Sequence, residues 1–403
     1  MRRMATPLLF ALGVVVLAAW AAVAVMVVRG LGRVRTLRAA TEPYAPWRPA
    51  EAPAVSAVVP ARDEAAALER AIRSLLAQDY PALEVIAVDD RSSDETPAIL
   101  ARLAAEDARL TVVRIDRLPV AEDGTPAWLG KPHALARGAD RARGEWLLFC
   151  DADIEHDPTV VSRAVRVAVR DGRDHLTLLP RVEPSGTLHR VFLGAFGLAL
   201  LITRRVWDVP DPKSRASVGV GAFNLVHRAI YTRFGGHAAL RLEVVDDMAL
   251  GQAAKRAGGR SEALFADGLV RLRWYPSVRA TVEGFTKNAF AAVGFSLPAA
   301  IGAVAVQALL GLGPYLGALF APGIARVPYL LAVAGIAAGF GIYARREPEL
   351  ARLSDALLFP VAVLLLMASF VRSTWKTLAR GGVEWRGTRY PLARLRAGSR
   401  FRA

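Results

Sequence analysis

The chain has 403 residues, enough for one large soluble domain and further segments, but its composition is unusual for a wholly soluble protein. Hydrophobic residues make up 53% of it and the mean hydropathy is +0.29, while the formal net charge is +15. High apolar content together with high basicity is typical of membrane proteins, whose cytoplasmic faces collect Arg and Lys. The alternative, nucleic-acid binding, is disfavoured because the basic residues cluster beside apolar segments. The single cysteine, Cys150, excludes an intramolecular disulfide framework.

The N-terminal segment predicts a membrane-spanning helix. The apolar stretch from residue 7 to residue 28 is just over twenty residues long, which is the length that crosses about 30 Å of hydrocarbon. A secretory signal peptide would have a shorter apolar core and a small-residue cleavage site. Here arginines follow instead, and they outnumber those in front: Arg29, Arg33, Arg35 and Arg38. Because positive charge stays on the cytoplasmic side, we expect the next part of the chain to be cytoplasmic.

The middle of the chain alternates between strand and helix patterns. Strands are predicted at residues 54–60, 83–90, 110–115 and 145–150, and helices at 64–78, 96–106 and 131–143. Continuous apolar strands that alternate with helices indicate an α/β fold with a parallel sheet covered on both faces. In such sheets ligands bind beyond the carboxyl ends of the strands, so we expect the site there.

The chain becomes apolar again after about residue 291, with candidate membrane spans at 295–319, 327–343 and 354–371. The region that follows them is strongly basic and should also prefer the cytoplasm. Three full crossings would put it on the opposite side, so either one span is re-entrant or the tail departs from the charge rule. A shorter apolar segment at 188–203 is interpreted as an interfacial or core helix.

These patterns divide the chain into six segments. By residue number they are 1–30, an N-terminal transmembrane helix; 31–53, a basic, Pro-rich linker; 54–275, the α/β domain; 276–294, an interfacial segment; 295–371, transmembrane helices; and 372–403, a basic tail.

Carboxylates follow two of the predicted buried strands. Asp89 and Asp90 end one strand, and Asp151-Ala-Asp153 follows another. Two carboxylates at i and i+2 point the same way and can hold one hard divalent cation, which in turn bridges diphosphate oxygens. A D-x-D alone is weak, since about one is expected by chance in a chain of this length. Its place at the end of a buried strand strengthens it, whereas turn formation or helix capping explains a residue such as Asp94.

A third acidic pair, Asp246-Asp247, precedes a helical stretch at 249–257. A carboxylate at a helix N-terminus can cap the helix, or it can act as a general base toward a substrate. Both interpretations use the same position, so the pattern favours them equally.

Six motifs, taken together, resemble family 2 glycosyltransferases with the GT-A fold. They occur in the family's order over about residues 55–274. The motifs are VPARDEA (59–65), VDDRSSDET (88–96), GKPHALARGAD (130–140), CDADIEHDP (150–158), GVGAFNLVHRAIYTRFGGH (219–237) and VVDDMALGQAAKRAG (244–258). More narrowly, the chain resembles polytopic members that glycosylate lipids, such as ceramide glucosyltransferase and the hopanoid- and carotenoid-associated enzymes.

The resemblance implies a Rossmann-like GT-A domain with a mostly parallel sheet, between N-terminal and C-terminal transmembrane helices. It implies transfer of a sugar, with inversion, from a nucleotide-sugar, expected to be UDP-linked, to a lipid-like acceptor. A Mg²⁺ or Mn²⁺ ion is the implied cofactor. The implied location is the inner (plasma) membrane, with the catalytic domain cytoplasmic and no nucleic-acid partner.

The resemblance also assigns roles to residues in the donor site. The expected nucleotide-sugar-binding residues are Pro60, Arg62, Asp63, Asp89, Asp90, Lys131 and Asp151. The segment from Pro60 to Asp63 is expected to form a backbone cradle, and Lys131 to lie near the donor phosphates. Asp151 and Asp153 are the expected metal ligands.

By the same resemblance, Asp247 matches the second position of the family's Glu-Asp base motif and is expected to be the general base. Asp246 stands where Glu is usual and is expected to support it.

The region after the base departs from the family pattern. Processive synthases and ceramide glucosyltransferase carry a Gln/Arg-x-x-Arg-Trp motif there, whereas this chain reads Arg273-Trp274-Tyr275. Lys287 and Asn288 either replace that motif or mark the entry of the chain into the bilayer, where a lysine snorkels to the interface. The alternatives to a lipid-directed transferase are a processive polysaccharide synthase and a non-catalytic membrane scaffold that retains the fold.

Overall fold

The computed structural model of the protein describes residues 2–399, with side chains from residue 6 onward. Residue 1 and residues 400–403, which belong to the first and last predicted segments, lie outside the described residues. The β-strands are β1 Val55–Ala61, β2 Leu83–Asp90, β3 Leu110–Ile115, β4 Trp146–Phe149, β5 Ile154–His156, β6 His175–Leu179, β7 Arg181–Val182, β8 Asn224–His227, β9 Ser261–Phe265, β10 Val270–Leu272, β11 Gly382–Trp385 and β12 Thr388–Pro391.

Helices make up most of the rest of the described chain. The α-helices are α1 Arg2–Leu31, α2 Leu37–Thr41, α3 Leu68–Leu76, α4 Thr96–Glu106, α5 Gly130–Arg141, α6 Val160–Arg170, α7 Thr187–Arg204, α8 Arg228–Arg233, α9 Gly236–Ala239, α10 Asp246–Arg256, α11 Val278–Ala292, α12 Leu297–Gln307, α13 Gly313–Phe320, α14 Val327–Ala344, α15 Phe359–Ala379 and α16 Leu392–Gly398. A π-helical turn, Ala308–Leu312, joins α12 to α13.

The centre of the α/β domain is a seven-stranded sheet in the order β3-β2-β1-β4-β8-β6-β9. Strand β1 runs parallel to β2 and β4, and β2 runs parallel to β3. Only β8 is reversed, because it pairs antiparallel with both β4 and β6. The predicted α/β fold with a mostly parallel sheet is confirmed. Six of the seven residues of β1 are buried, as expected of a strand covered on both faces.

Close packing of α5 on this sheet depends on a glycine. A Cβ at Gly138 would lie 2.3 Å from a methyl carbon of Val58 in β1 and 3.0 Å from one of Val88 in β2. No side chain fits at such a separation, so the helix axis can approach the strands only with glycine at this position. This packing fixes the first turn of α5, where Lys131 lies, at the carboxyl edge of the sheet.

Five helical segments are long and apolar enough to cross a membrane, among the residues that the structure describes. They are Thr6–Leu31, Thr187–Asp208, Leu297–Phe320, Gly323–Ala344 and Phe359–Ala379. In the second of these, half of the most apolar window is buried inside the protein. This burial agrees with the interpretation of residues 188–203 as an interfacial or core helix.

Contacts with α1 show where two other apolar helices, α14 and α15, begin and end along the axis of α1. Tyr329, at the start of α14, donates a hydrogen bond to Leu9 O at 2.9 Å, and Arg346, just after α14, lies 3.5 Å from Leu31 O. Helix α14 therefore runs parallel to α1 along its length. Trp20, near the middle of α1, has its ring centroid 6.2 Å from that of Phe359, the first residue of α15. Helix α15 thus begins halfway along α1.

The other end of α15 lies against the α/β domain. Phe290 N in α11 donates to Ser373 Oγ in α15 at 2.9 Å. Beyond α15, within the predicted basic tail, the chain folds into an antiparallel hairpin of β11 and β12 followed by α16. The two-residue loop of the hairpin, Arg386-Gly387, has positive φ angles of 48° and 73°, which is the backbone of the tight turns that join short antiparallel strands. Val383 and Tyr390 are buried beneath it.

Candidate active site

A cavity of about 410 Å³ lies at the carboxyl ends of β1, β2 and β4. Six of the eight predicted donor and metal residues line it: Pro60, Arg62, Asp90, Lys131, Asp151 and Asp153. The parallel strands bring these residues together, because the carboxyl ends of neighbouring parallel strands meet at one edge. The opposite wall comes from α11 and from the hairpin, which contribute Lys287, Trp385 and Arg386.

The remaining two predicted donor residues, Asp63 and Asp89, lie beside this cavity and hold its loops. Asp63 has a positive φ of 53°, and its carboxylate accepts a hydrogen bond from Ser93 N at 2.7 Å. Asp89 is buried, and its carboxylate accepts from Ser92 N at 3.1 Å and pairs with Arg114. Both side chains thereby fix the loop between β2 and α4 against the end of β1.

Lys131 joins the carboxylates of two separate elements. Its Nζ lies 2.7 Å from Asp151 Oδ1, just after β4, and 3.4 Å from Asp246 Oδ2, in the first turn of α10. Burial lowers the pKa of Lys131, but the negative charges of Asp151, Asp246 and Asp247 outweigh it and raise the pKa well above its usual value. The ammonium group therefore stays charged and holds the two elements together.

The surroundings of Asp153 disfavour the ionised form of its carboxyl group. Burial, and then the nearby charges of Asp151 and Glu64, raise the pKa of Asp153 to about 7. Carboxylates so placed repel each other, and a cation bound between them would favour their ionised forms. Within residues 2–399, no group of three or more His, Cys, Asp or Glu side chains is arranged to hold a metal ion. The protein therefore offers two carboxylates, and further oxygen ligands would have to come from a bound molecule or water.

The adjacent residues Asp246 and Asp247 face different partners. Asp247 is half-buried; its Oδ2 accepts from Gly221 N at 2.9 Å and its Oδ1 from Met248 N at 2.8 Å. Asp246 is buried and faces Lys131. Burial raises the pKa of Asp246 to about 6, although Lys131 opposes the shift. One carboxylate is thus oriented by backbone amides and the other by a lysine.

Gly221 is essential to this arrangement. A Cβ at Gly221 would lie 2.4 Å from Asp151 Oδ2, closer than any real side-chain contact. Glycine therefore lets the loop after residue 218 pass between Asp151 and Asp247, with its amide directed at the Asp247 carboxylate. The sequence signal for this contact is Gly219-Val220-Gly221, because closely spaced glycines often mark a place where the backbone approaches another group.

Lys287 lies in the cavity wall, so the geometry favours a place in the site over snorkelling at a membrane interface. Its Nζ lies 4.1 Å from the ring centroid of Trp385, a cation–π contact. Burial, and then the positive charge of Lys131, lower the pKa of Lys287 to about 8, against the opposing effect of Asp246 and Asp151.

The sequence reasoning missed the cavity residues of the hairpin and Tyr275. A hairpin signal was present, because the Arg386-Gly387 turn separates two short runs that carry Val383 and Tyr390. Nothing in those runs indicated that the hairpin would fold back onto a cavity built by residues 60–153.

The comparisons with known proteins decide the family. Residues 56–231 match the model of Glycosyl transferase family 2. The chain contains a family 2 glycosyltransferase domain. The predicted family, and with it the enzyme class of glycosyltransferase, is confirmed.

Similar proteins include a curated enzyme and a solved structure. The 4,4'-diaponeurosporenoate glycosyltransferase of Staphylococcus aureus (strain MRSA252) is 23% identical over 347 residues, which cover 85% of this chain and 89% of the relative. The mannosyltransferase PcManGT from Pyrobaculum calidifontis, solved in complex with GDP-Man and Mn²⁺, has a TM-score of 0.55 and 19% identity. The match covers 91% of this chain and 99% of that one, which supports a common GT-A fold.

The depressed pKa of Lys287 predicts a pH-dependent effect of Lys287→Met on stability. The folded-state pKa of about 8 lies below the ordinary 10.5, so burying the charged form costs stability at pH 7. The cost disappears as the pH rises from 8 to 10.5. Without nucleotide, we expect Lys287→Met to raise the free energy of unfolding at pH 7 by about 1–3 kcal/mol, and by less at pH 10.

The measurement is thermal unfolding of the detergent-solubilised protein at both pH values. Exposed Lys213→Met serves as the control, with no such pH-dependent gain. A gain for Lys287→Met that is equal at pH 7 and pH 10 would show that packing, and not charge, is responsible.

Proposed function

We propose that the protein transfers a sugar from a nucleotide-sugar donor to a lipid-like acceptor, with inversion, at a membrane. The observation that carries the proposal is the pairing of Lys131 with Asp151 and Asp246 beside a cavity walled by α11, with Asp247 next to Asp246 in the chain. Helix α11 in turn packs on α15, one of the apolar helices. The proposed donor site and an apolar helix are therefore adjacent. A relative named for 4,4'-diaponeurosporenoate, a lipid-like carotenoid, supports such an acceptor.

The cavity suits a nucleotide diphosphate. Its wall contains the cations Arg62, Lys131 and Lys287, and the N-terminus of the twelve-residue helix α5 points its amides toward the same space. A Cβ at Gly130, the first residue of α5, would lie 2.6 Å from Asp90 Oδ2. Glycine at this position therefore lets the start of α5 lie against Asp90 with no side chain between them. We keep the expectation of a UDP-linked donor and test it against a GDP-linked one, since PcManGT binds GDP-Man.

The residues present fit a divalent cation. Asp151 and Asp153 supply hard oxygen ligands, and burial together with nearby negative charge, which a cation would compensate, raises the pKa of Asp153. The Mn²⁺ in PcManGT supports Mg²⁺ or Mn²⁺ here. When bound, the ion would neutralise charge on the donor diphosphate and so favour its departure.

The chain's own groups account for the rest of the reaction. The acceptor oxygen forms a bond to the anomeric carbon while the bond from that carbon to the phosphate oxygen breaks, and a single displacement of this kind inverts the anomeric centre. Asp247, oriented by two backbone amides, takes the proton of the acceptor hydroxyl. Lys131 remains protonated and meets the negative charge that develops on the leaving diphosphate.

The levels of the helices support a multi-pass topology with the catalytic domain in the cytoplasm. If α1 crosses once and α12 to α14 cross out and back, the segment after α14 returns to the side of the domain, where Arg346 meets Leu31. Helix α15 begins at the level of Trp20 and ends on the domain, which makes it the re-entrant one of the predicted spans. The basic region after α15 then lies in the cytoplasm, in accord with the charge rule.

The proposed activity is tested with purified protein in detergent. UDP- and GDP-sugars are screened against total membrane lipid extract, and the products are sized. We expect one sugar added to a lipid. A ladder of long glycans would favour a processive synthase, and absence of donor turnover with every sugar would count against the proposal.

Divalent-metal dependence is the second expectation. EDTA should abolish donor turnover, and Asp153→Asn should weaken cation binding on the order of 100-fold, because it removes a charged ligand. The independent readout is thermal stability: Mn²⁺ should raise the melting temperature of the wild type but not of Asp153→Asn. Asp140→Asn, an exposed carboxylate on α5, is the control and should respond like wild type. Full donor turnover in EDTA would contradict divalent-metal dependence.

The assignment of the base is tested by two single variants. Asp247→Asn should lower kcat by about 10²–10⁴-fold with little change in donor affinity, since Asp151 and Asp153 are untouched. Asp246→Asn should have a milder effect. If Asp246→Asn is inactive and Asp247→Asn active, the buried neighbour with the raised pKa is the base. If both variants keep the full rate, neither residue is the base and the base lies elsewhere.

The topology is tested with introduced cysteines, because the natural Cys150 is buried. Arg48→Cys lies in the linker, Ile324→Cys between α13 and α14, and Arg389→Cys in the hairpin; all three positions are exposed. In intact cells an impermeant thiol reagent should label only Ile324→Cys, and the other two should react after the membrane is opened. Labelling of Arg389→Cys in intact cells would mean that α15 crosses completely.

A further inference from the structure

The hairpin of β11 and β12 forms one wall of the cavity although it is far from the other walls in sequence. Its residues Glu384, Trp385, Arg386 and Tyr390 line the cavity together with strand-end residues of the domain. The base of the hairpin is fixed by burial, since Tyr390 is 1% exposed and packs in an apolar cluster with Phe290. The position of the hairpin is therefore set by the core beneath it.

The tip of the hairpin makes polar contacts with the segment that follows β1. Arg386 Nη2 lies 2.6 Å from Glu64 Oε1, and Arg62 Nη2 donates to Arg386 O at 2.7 Å. Both partners belong to the segment after β1. Beside them Trp385 covers Lys287. The guanidinium of Arg386 is thus fixed at the mouth of the cavity by a single carboxylate.

The ion pair with Glu64 uses Nη2 of the Arg386 guanidinium. The other N–H groups of the guanidinium can donate to an anionic ligand. A guanidinium presents several N–H donors in one plane and binds phosphate oxygens in pairs. Glu64 lies in a strongly acidic part of the cavity, where it also raises the pKa of Asp153. An anionic ligand in the cavity can accept hydrogen bonds from Arg386 without any movement of the hairpin's buried base.

We propose that Arg386 is a donor-binding residue whose guanidinium binds the diphosphate of the nucleotide-sugar, with Trp385 as a positioning residue that keeps Lys287 facing the same group. The inference rests on the proposed function. It assigns the second wall of the donor site to a segment that directly follows the last apolar helix.

The test uses the full-length protein in detergent with Mn²⁺, and UDP, GDP, uridine and guanosine as probes. Arg386→Ala should weaken diphosphate binding by about 10- to 100-fold, the value of hydrogen bonds to a charged group, while binding of the parent nucleoside changes little. Arg386→Lys should recover part of the loss. Trp385→Ala should weaken diphosphate binding less than Arg386→Ala does.

Arg389→Ala is the matched control, because it removes the same charge from an exposed position of the same hairpin. It should bind like wild type, and melting temperatures check that each variant is folded. Equal loss for nucleoside and diphosphate in Arg386→Ala would overturn the inference, as would unchanged diphosphate binding. In either case a wild type that binds a diphosphate leaves the proposed function standing. A wild type that binds neither diphosphate overturns both.

Discussion

The ammonium group of Lys131 lies between a carboxylate that follows β4 and another that begins α10. Without it, Asp151, Asp246 and Asp247 would face one another in a partly buried space. Removal of one partner from a buried charge pair commonly destabilises a protein by about 3–5 kcal/mol, because the remaining charge is uncompensated. The relative placement of β4, α5 and α10, and with it the shape of the cavity, depends on this one side chain. Gly138 and Gly221 let the backbone approach closely enough for the contact to form.

The arginines that indicate membrane orientation also attach the first helix to the domain. Arg35 pairs with Asp171 at 2.6 Å and with Glu262 at 2.8 Å. At the end of α1, a Cβ at Gly30 would lie 2.2 Å from the ring of Trp207. The helix and the domain are therefore joined by close packing and by ion pairs. The same positive charge thus has two roles, since it predicts the orientation of the first apolar helix and its ion pairs hold that helix on the domain.

The parts of the fold that could be predicted are those set by local pattern. Strands β2 and β3 and helix α4 have the bounds predicted from sequence, because their apolar periods are uninterrupted and turn residues flank them. The strand-end carboxylates could be found because parallel topology brings strand ends together. The place of Lys287 and Arg386 could not, since the ion pair from Arg386 to Glu64 joins residues 322 positions apart. No periodicity in either segment records such a contact, which arises only when α15 turns back toward the domain.

The order of elements along the chain has a consequence for biosynthesis. The strands that form the first wall of the cavity are made early, while residues 382–391 follow every apolar helix from α1 to α15. The ribosome therefore completes the second wall only after α15 has been synthesised. During translation the acidic wall stands open, and the charge of Glu64 is unpaired until Arg386 arrives. A nascent chain thus acquires its closed cavity only after all of its apolar helices have been synthesised.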